Sequence, residues 1–301
     1  MFEEGNSIRC NLRGKFKKEF GMKKDKLFAL DMAAVGDVVD IDLNDDGTGT
    51  VYNIEKRKNY LSRKAPRLKG ASYRGERLEQ IIASNIDKFF VISSVEYPSF
   101  NNRVIDRLIV TGESSHIETF LIINKIDLIE KNDITFWIDL YRSIGYKVFT
   151  TSALTGEGID DLKKELSGKI NLFLGHSGVG KSSLLNQLFG LELNIGDIST
   201  FSSKGTHTTV TSVILSVAKN TYVIDTPGIR EIDPYGIKKE DLGHFFIEFS
   251  EYINGCKFST CTHNHEPECA VAKAVEEGKI SLERYDSYLK ILNTVEEDMI
   301  Y

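Results

Sequence analysis

Gly175, His176, Ser177, Gly178, Val179, Gly180, Lys181 and Ser182 stand in the order G-x-x-x-x-G-K-S, with Ser183 next. Glycines at this spacing let successive backbone N–H groups close around phosphate oxygens, and the lysine reaches the outer phosphates. The Ser182 hydroxyl is placed to ligate Mg2+. A helix opening here adds the positive end of its dipole. A second group is Asn124, Lys125, Ile126 and Asp127. A carboxylate placed like Asp127 accepts from guanine N1–H and its 2-amino group. Adenine offers neither donor and would leave that carboxylate buried and unpaired. Lys125 can lay its stem along a base, and Asn124 can tie loops together. Alone the tetrapeptide is a common surface turn; beside a phosphate loop it is specific.

Thr151, Ser152 and Ala153 resemble a short loop whose backbone contacts guanine O6. Asp225-Thr226-Pro227-Gly228 supplies a carboxylate for a Mg2+ shell and a glycine N–H for a γ-phosphate. Between it and the phosphate loop runs Gly205-Thr206-His207-Thr208-Thr209. A threonine there can complete the Mg2+ shell, and Thr209 is the favoured one.

The elements that must carry these loops can be read from apolar runs. Strands are expected at 88–95, 117–124, 146–152 and 170–175, and helices at 102–113, 133–144, 158–167 and 181–189. Alternation of this kind predicts a parallel α/β sheet. The order of the motifs is unusual. In ordinary GTPases the phosphate loop comes first and the guanine-reading loops last; here the guanine-reading loops come first. A permuted chain can build the same sheet if the old termini are joined and the break falls in an exposed segment. The Asp225–Gly228 segment then leads within a short stretch into the C-terminal region.

That region holds Cys256, Cys261 and Cys269, with His263 and His265 among them. Three cysteines cannot pair off, and three thiolates with one imidazole make a closed tetrahedral set suited to structural zinc. His263 and His265 compete for the fourth place. A helix is expected over 241–254. A last one, capped by Ser281, should bury Leu282, Tyr285, Leu289, Leu292 and Val295. The fourth cysteine, Cys10, reads as a small core filler.

Residues 7–62 read as short strands, SIRCNLRG, LFALD, DVVDIDL and GTVYNIE, separated by turn signals. Several strands in so short a span suit a small barrel such as the OB-fold. The chain of 301 residues carries a formal net charge of −6. Yet residues 53–77 hold Lys56, Arg57, Lys58, Arg63, Lys64, Arg67, Lys69, Arg74 and Arg77 against Glu55 and Glu76. Local clustering of this kind can bind a polyanion. The N-terminus has no basic, apolar leader, and no apolar run is long enough to span a membrane. A cytoplasmic location and no membrane partner are therefore expected.

Taken together, NKID, GHSGVGKSS, GTHTT, DTPG and C-x4-C-x-H-x5-C make the chain similar to the bacterial circularly permuted GTPases of small ribosomal subunit biogenesis, the RsgA (YjeQ) type. The resemblance covers nearly the whole chain. It implies an α/β, circularly permuted P-loop GTPase domain with an N-terminal OB-like barrel and a C-terminal zinc-bearing helical module. The parts are expected at 1–70, 71–236 and 237–301. It further implies GTP and GDP as ligands, Mg2+ with GTP, one structural zinc, and hydrolysis that is slow alone and faster on the small subunit. The partner is then that subunit and its rRNA, bound late in assembly, and the protein is expected to act as a monomer. The zinc ligands map onto Cys256, Cys261, His263 and Cys269, which selects His263 over His265. Ile229 stands where Ras-type GTPases carry a glutamine, and the resemblance points to His207 for orienting water. Thr206 stands where relatives often have arginine. Two other readings compete: a non-catalytic RNA-binding factor using GTP as a clamp, and an ATP-dependent P-loop enzyme, which Asn124–Asp127 disfavours.

Overall fold

The computed structural model describes residues 7–14, 33–64, 79–129, 134–191, 212–226 and 235–295. At the N-terminal end β1 (Cys10–Leu12), β2 (Val39–Leu43) and β3 (Gly49–Ile54) form a sheet in the order β1-β3-β2. Strands β4 (Tyr60–Lys64) and β5 (Glu79–Ser84) form a separate antiparallel pair. Among the described residues these are two sheets rather than a closed barrel, and the expected strand at 27–31 lies outside them. Cys10 is exposed rather than a core filler; it lies on β1, an edge strand among the described residues. Asp37 ties this region together. It accepts hydrogen bonds from Arg57 Nε at 2.7 Å, Ser84 Oγ at 2.6 Å and the Ala34 N–H at 2.8 Å. Burial alone would raise the pKa of Asp37, but these bonds from Arg57 and Ser84 hold it below the usual value.

The rest of the chain builds the larger sheet. Its elements are β6 (Lys88–Ser94), α1 (Asn102–Ser114), β7 (Glu118–Asn124), α2 (Thr135–Ile144), β8 (Lys147–Thr151), α3 (Ile159–Leu166), β9 (Ile170–Gly175), α4 (Lys181–Phe189), β10 (Val213–Ala218) and β11 (Thr221–Asp225). The strand order is β10-β11-β9-β6-β7-β8, parallel except for β10. Counting from β9 and continuing through the chain end to β6, the order reads 2-3-1-4-5-6. The chain therefore builds a phosphate-loop sheet from a start in its middle.

Strands buried on both faces need near-continuous apolar runs, and β6, β7 and β9 have them. Alternate residues serve opposite faces. Phe89, Val91, Leu121, Ile123, Leu172 and Leu174 pack under α1 and α2. Phe90, Ile92, Phe120, Ile122 and Phe173 pack under α3 and α4. Phe90 stacks between Phe120 and Phe173, at centroid distances of 5.0 and 5.1 Å. Truncating such a ring to alanine costs about 3–5 kcal/mol. Gly112 of α1 lets the helix lie close on the sheet, since a Cβ there would sit 2.6 Å from Phe89 Cδ1.

The C-terminal region contains α5 (Ser250–Ile253), α6 (Ala270–Glu276) and α7 (Leu282–Leu292). The helix expected over 241–254 is instead two 3₁₀ turns, Leu242–Phe245 and Ile247–Phe249, followed by α5. The break at Phe246, whose backbone is extended, lets Phe246 and Phe249 both reach Tyr288 while Glu248 reaches Arg284. Ser281 caps α7 as expected. The buried face of that helix, however, is Arg284, Ser287, Tyr288, Ile291 and Leu292, and Leu282 is 67% exposed. Tyr285, Leu289 and Val295 pack against the same core as expected, so only Leu282 falls off the face, which instead takes in a buried arginine that hydrophobic periodicity does not recognise. No helix among the described residues is long and apolar enough to cross a membrane.

Candidate functional site

The C-terminal ends of parallel strands expose backbone groups where a crossover reverses direction, and ligands bind at that crevice. Here β9 sits between β6 and β11, so the crevice lies at the end of β9. The loop from Gly175 fills it and passes into α4, which starts at Lys181. Gly178 and Gly180 have φ of +86° and +91°, left-handed values that glycine adopts at little cost. A Cβ on Gly180 would also lie 2.5 Å from Asn124 Nδ2, so only glycine allows the loops to close. His176, Ser177 and Gly178 are exposed, Val179 is buried as an anchor, and Lys181, Ser182 and Ser183 are half-buried. The N–H groups at the start of α4 open toward the crevice with the positive helix end behind them.

Asn124, at the end of β7, is the hub of the site. Its Nδ2 donates to the Val179 carbonyl at 2.9 Å. Its Oδ1 accepts from Thr151 Oγ1 and from the Ala153 N–H, both at 3.2 Å. One buried amide thus binds three loops, those carrying 175–182, 124–127 and 151–153. Asp127 is held by Ser152, whose Oγ donates to Asp127 Oδ1 at 2.5 Å. Ser152 Oγ in turn accepts from the N–H groups of Leu154 and Thr155 at 3.2 and 3.1 Å. Ile126 begins the single 3₁₀ turn that carries Asp127.

Lys125 has a left-handed backbone, φ 63°, and its Nζ donates to the carbonyls of Tyr97 and, at 2.7 Å, Gly178. The loop between β6 and α1 is therefore part of the site, although nothing in the motif pattern assigns it there. A Cβ on Gly178 would also meet Pro98 Cδ at 3.4 Å. Only the pair Tyr97-Pro98 between a strand and a helix hints at a shaped turn.

Lys181 Nζ lies 2.8 Å from Oδ1 of Asp225, a carboxylate only 1% exposed. This is an ion pair without hydrogen-bond alignment. Both Asp225 oxygens and Thr226 Oγ1 are buried with no hydrogen-bond partner among the described residues. Unsatisfied hard oxygens of this kind suit a hydrated Mg2+. His207, Thr209, Gly228 and Ile229 lie outside the described residues.

A second cluster lies in the C-terminal region. Ligand atoms of Cys256, Cys261, His263 and Cys269 all fall within 4.8 Å of one another. His263 Nδ1 is 3.5 Å from Cys256 Sγ and 3.4 Å from Cys269 Sγ, and the two sulfurs are 3.9 Å apart. That is far from disulfide length. Burial pushes the Cys261 thiol up to about 12 and lowers the pKa of His263, so a metal bound here would have to displace the thiol protons. His265 is outside the group; its N–H instead donates to Glu266 Oε2 at 3.2 Å. Tyr285 and Tyr288 of α7 donate to the carbonyls of His263 and Thr262 at 2.6 and 2.7 Å, fixing the ligand loop to the helix.

The basic stretch is less available than its composition implies. Lys64 is only 4% exposed, Arg57 is paired with Asp37, and Arg63 Nε donates to Gln80 Oε1 at 3.0 Å. Lys56 is exposed, and Lys58, though exposed, pairs with Asp87 at 3.1 Å. Arg67, Lys69, Arg74 and Arg77 lie outside the described residues.

Comparison with known proteins gives a consistent result. A model of the RsgA GTPase family matches residues 54–235. The chain is 40% identical over 299 residues to a Bacteroides fragilis protein named small ribosomal subunit biogenesis GTPase RsgA, covering 98% of this chain and 92% of that one. Among solved structures it is similar to YjeQ from Thermotoga maritima, with a TM-score of 0.71 and 34% identity over 97% of this chain and 91% of that one. It is also similar to YloQ, described as a circularly permuted GTPase, with a TM-score of 0.68 and 29% identity over 97% and 87% of the two chains.

Proposed function

The chain belongs to the RsgA GTPase family of circularly permuted GTP-hydrolysing enzymes, and from that premise we propose that it acts in late maturation of the small ribosomal subunit. The relatives' names supply the process. The observation that carries the reading is the Asn124 hub, which holds a phosphate loop, a guanine-reading carboxylate and a third loop in one crevice.

In this reading Asp127, oriented by Ser152, accepts from the guanine edge, and the Lys125 stem covers the base. The N–H groups of 175–183 and Lys181 bind the phosphates. Lys181 exchanges Asp225 for phosphate oxygens when GTP enters. Ser182, Asp225 and Thr209 are the residues that would hold Mg2+, which supplies charge neutralisation at the β- and γ-phosphates. The Gly228 N–H contacts the γ-phosphate, and His207 orients the attacking water, because Ile229 cannot hydrogen-bond it. Stabilising charge that develops in the transition state is the main work of such a site.

The Cys256, Cys261, His263 and Cys269 set fits zinc. A tetrahedral ion with Zn–S of about 2.3 Å and Zn–N of about 2.0–2.1 Å requires S–S edges of about 3.8 Å and S–N edges of about 3.6 Å. The three separations among Cys256, His263 and Cys269, 3.9, 3.5 and 3.4 Å, fall close to those values, and Cys261 completes the group within 4.8 Å. All four positions are filled by protein, so the metal is structural. The division into an OB-like barrel at 1–70, a GTPase part at 71–236 and a zinc module at 237–301, working as a cytoplasmic monomer, belongs to the same proposal. The barrel and the zinc module grip rRNA, and the subunit accelerates hydrolysis. Two measurements test it. Phosphate should be released from GTP and not from ATP, and the protein should co-sediment with small subunits; equal use of ATP or no co-sedimentation would sink the reading.

A further inference from the structure

Helix α1 lies between the sheet and the C-terminal module. Ile105, Leu108 and Ile109 face the sheet. Arg103, Asp106, Arg107 and Val110, spaced i, i+3, i+4 and i+7, form one stripe facing the module. Val110 joins the apolar core of Phe246, Phe249 and Tyr288. Arg103 lies 3.5 Å from Asp286, and Arg107 donates to Thr294 Oγ1 at 2.8 Å.

The centre of the stripe is an ion network. Arg284 of α7 is 1% exposed and donates to Asp106 Oδ1 on α1. It also donates to both Glu248 oxygens, at 2.7 and 3.2 Å. Tyr141 of α2 donates to Asp106 Oδ1 at 2.7 Å, and the guanidinium stacks 4.5 Å from the Phe246 ring centre. Burial would lower the pKa of Arg284, but Asp106 and Glu248 hold it well above the ordinary value, so it stays charged.

At its other end α1 is joined to the nucleotide loops. Asn101 caps it. The preceding loop donates from the Val95 N–H to the Asn124 carbonyl at 3.1 Å. It accepts Lys125 Nζ at Tyr97 and closes on itself through Ser94 Oγ to the Pro98 carbonyl at 2.7 Å, and the same Lys125 Nζ donates to the Gly178 carbonyl of the phosphate loop at 2.7 Å. One rigid helix therefore connects the zinc-ligating module to both Lys125 and the phosphate loop, without passing through residues 227–234.

We propose that Arg284 and Asp106 are positioning residues for guanine-nucleotide binding: by fixing α1 against the C-terminal module they set the loop that holds Lys125 and Gly178. This rests on reading 124–127 and 175–182 as the nucleotide site. It assigns the module a direct hold on nucleotide retention in the free protein, separate from any RNA it grips.

The test is nucleotide release from the full-length, metal-loaded protein, measured as dissociation of a fluorescent GDP analogue. Removing Arg284 alone would leave two buried carboxylates without their cation, so the network is neutralised as a unit in Asp106→Asn/Glu248→Gln/Arg284→Met. The Arg103→Ala/Arg107→Ala pair loosens the solvent-facing edge of the same stripe with little risk to folding. GDP release should be about five-fold faster in the triple variant, the scale of an ordinary coupling between sites, and faster by a smaller factor in the pair. Metal content should be unchanged, and Glu248→Gln alone, which keeps the link between Arg284 and Asp106, should release GDP at the wild-type rate. Unchanged release in the folded variants overturns the proposal, as does faster release accompanied by loss of metal. Should the triple variant not fold, the Arg103/Arg107 pair decides. Wild-type protein that fails to bind GDP would overturn the nucleotide-site reading itself, and this proposal with it.

Discussion

Replacing Asn124 with alanine should disable nucleotide binding while leaving the fold in place. The side chain is buried and satisfies three groups: the Val179 carbonyl, the Thr151 hydroxyl and the Ala153 N–H. Alanine leaves all three without that partner. A buried polar group deprived of its hydrogen bond costs about 1–3 kcal/mol. Taking the low end for each, since a loosened loop admits water, gives about 3 kcal/mol. The apo protein can relax by letting the loops drift, so most of this cost appears when a ligand must bring them back. That corresponds to roughly a hundred-fold weaker GDP binding. Asn124→Asp is the sharper control. It keeps both acceptor contacts but turns a buried carboxylate oxygen toward the Val179 carbonyl, so binding should weaken at least as much as in the alanine variant. Titration with a fluorescent GDP analogue, alongside circular dichroism, reads both. A folded Asn124→Ala protein that binds GDP as tightly as wild type would refute the idea that this amide assembles the site.

Four other outcomes are expected. Asp127→Asn should shift preference from guanine to xanthine nucleotide, whose 2-carbonyl accepts from the new amide; nucleotide competition measures it, and unchanged GTP affinity contradicts the assignment. Cys269→Ser should lose the metal and lower the unfolding temperature, since metal binding in such sites is folding free energy on the order of 10 kcal/mol; a metal-free wild type with an equally stable mutant would remove the zinc site. His207→Ala should lower kcat while GTP affinity stays within a few-fold, and equal loss of both would make the histidine a structural residue. Charge reversal at Lys56 and Lys58 should weaken small-subunit binding and make its salt slope shallower by about one unit for each phosphate no longer neutralised; binding that is indifferent to both changes assigns RNA contact to another surface.

The sheet and its helices are legible in the sequence because buried strands such as Lys88–Ser94 and Ile170–Gly175 are near-continuous apolar runs. The phosphate loop and Asn124–Asp127 are legible because their backbone demands allow few residue types. Other parts are not. Asp106 and Arg284 leave no mark in an apolar pattern, yet they bury each other across two parts of the chain, and apolar spacing puts Leu282 on the buried face of α7 although it is exposed. The turns at Leu242–Phe249 follow from partners on α7 that are distant in sequence. The basic stretch reads as uniformly available, but Arg57 and Lys64 are spent on the fold, because charge counts carry no information about pairing. The loop holding Tyr97 and Pro98 gives almost no local signal, because it acts through a backbone carbonyl that any residue carries.

Coupling of GTP hydrolysis to the small ribosomal subunit is the central claim. The direct measurement is multiple-turnover phosphate release from GTP at fixed salt, with and without purified small subunits. The expected result is slow release by the free protein and acceleration of about ten-fold or more by subunits, equivalent to lowering the barrier by about 1.4 kcal/mol. Release at the same rate with and without subunits, in protein shown to bind GTP, would contradict that coupling.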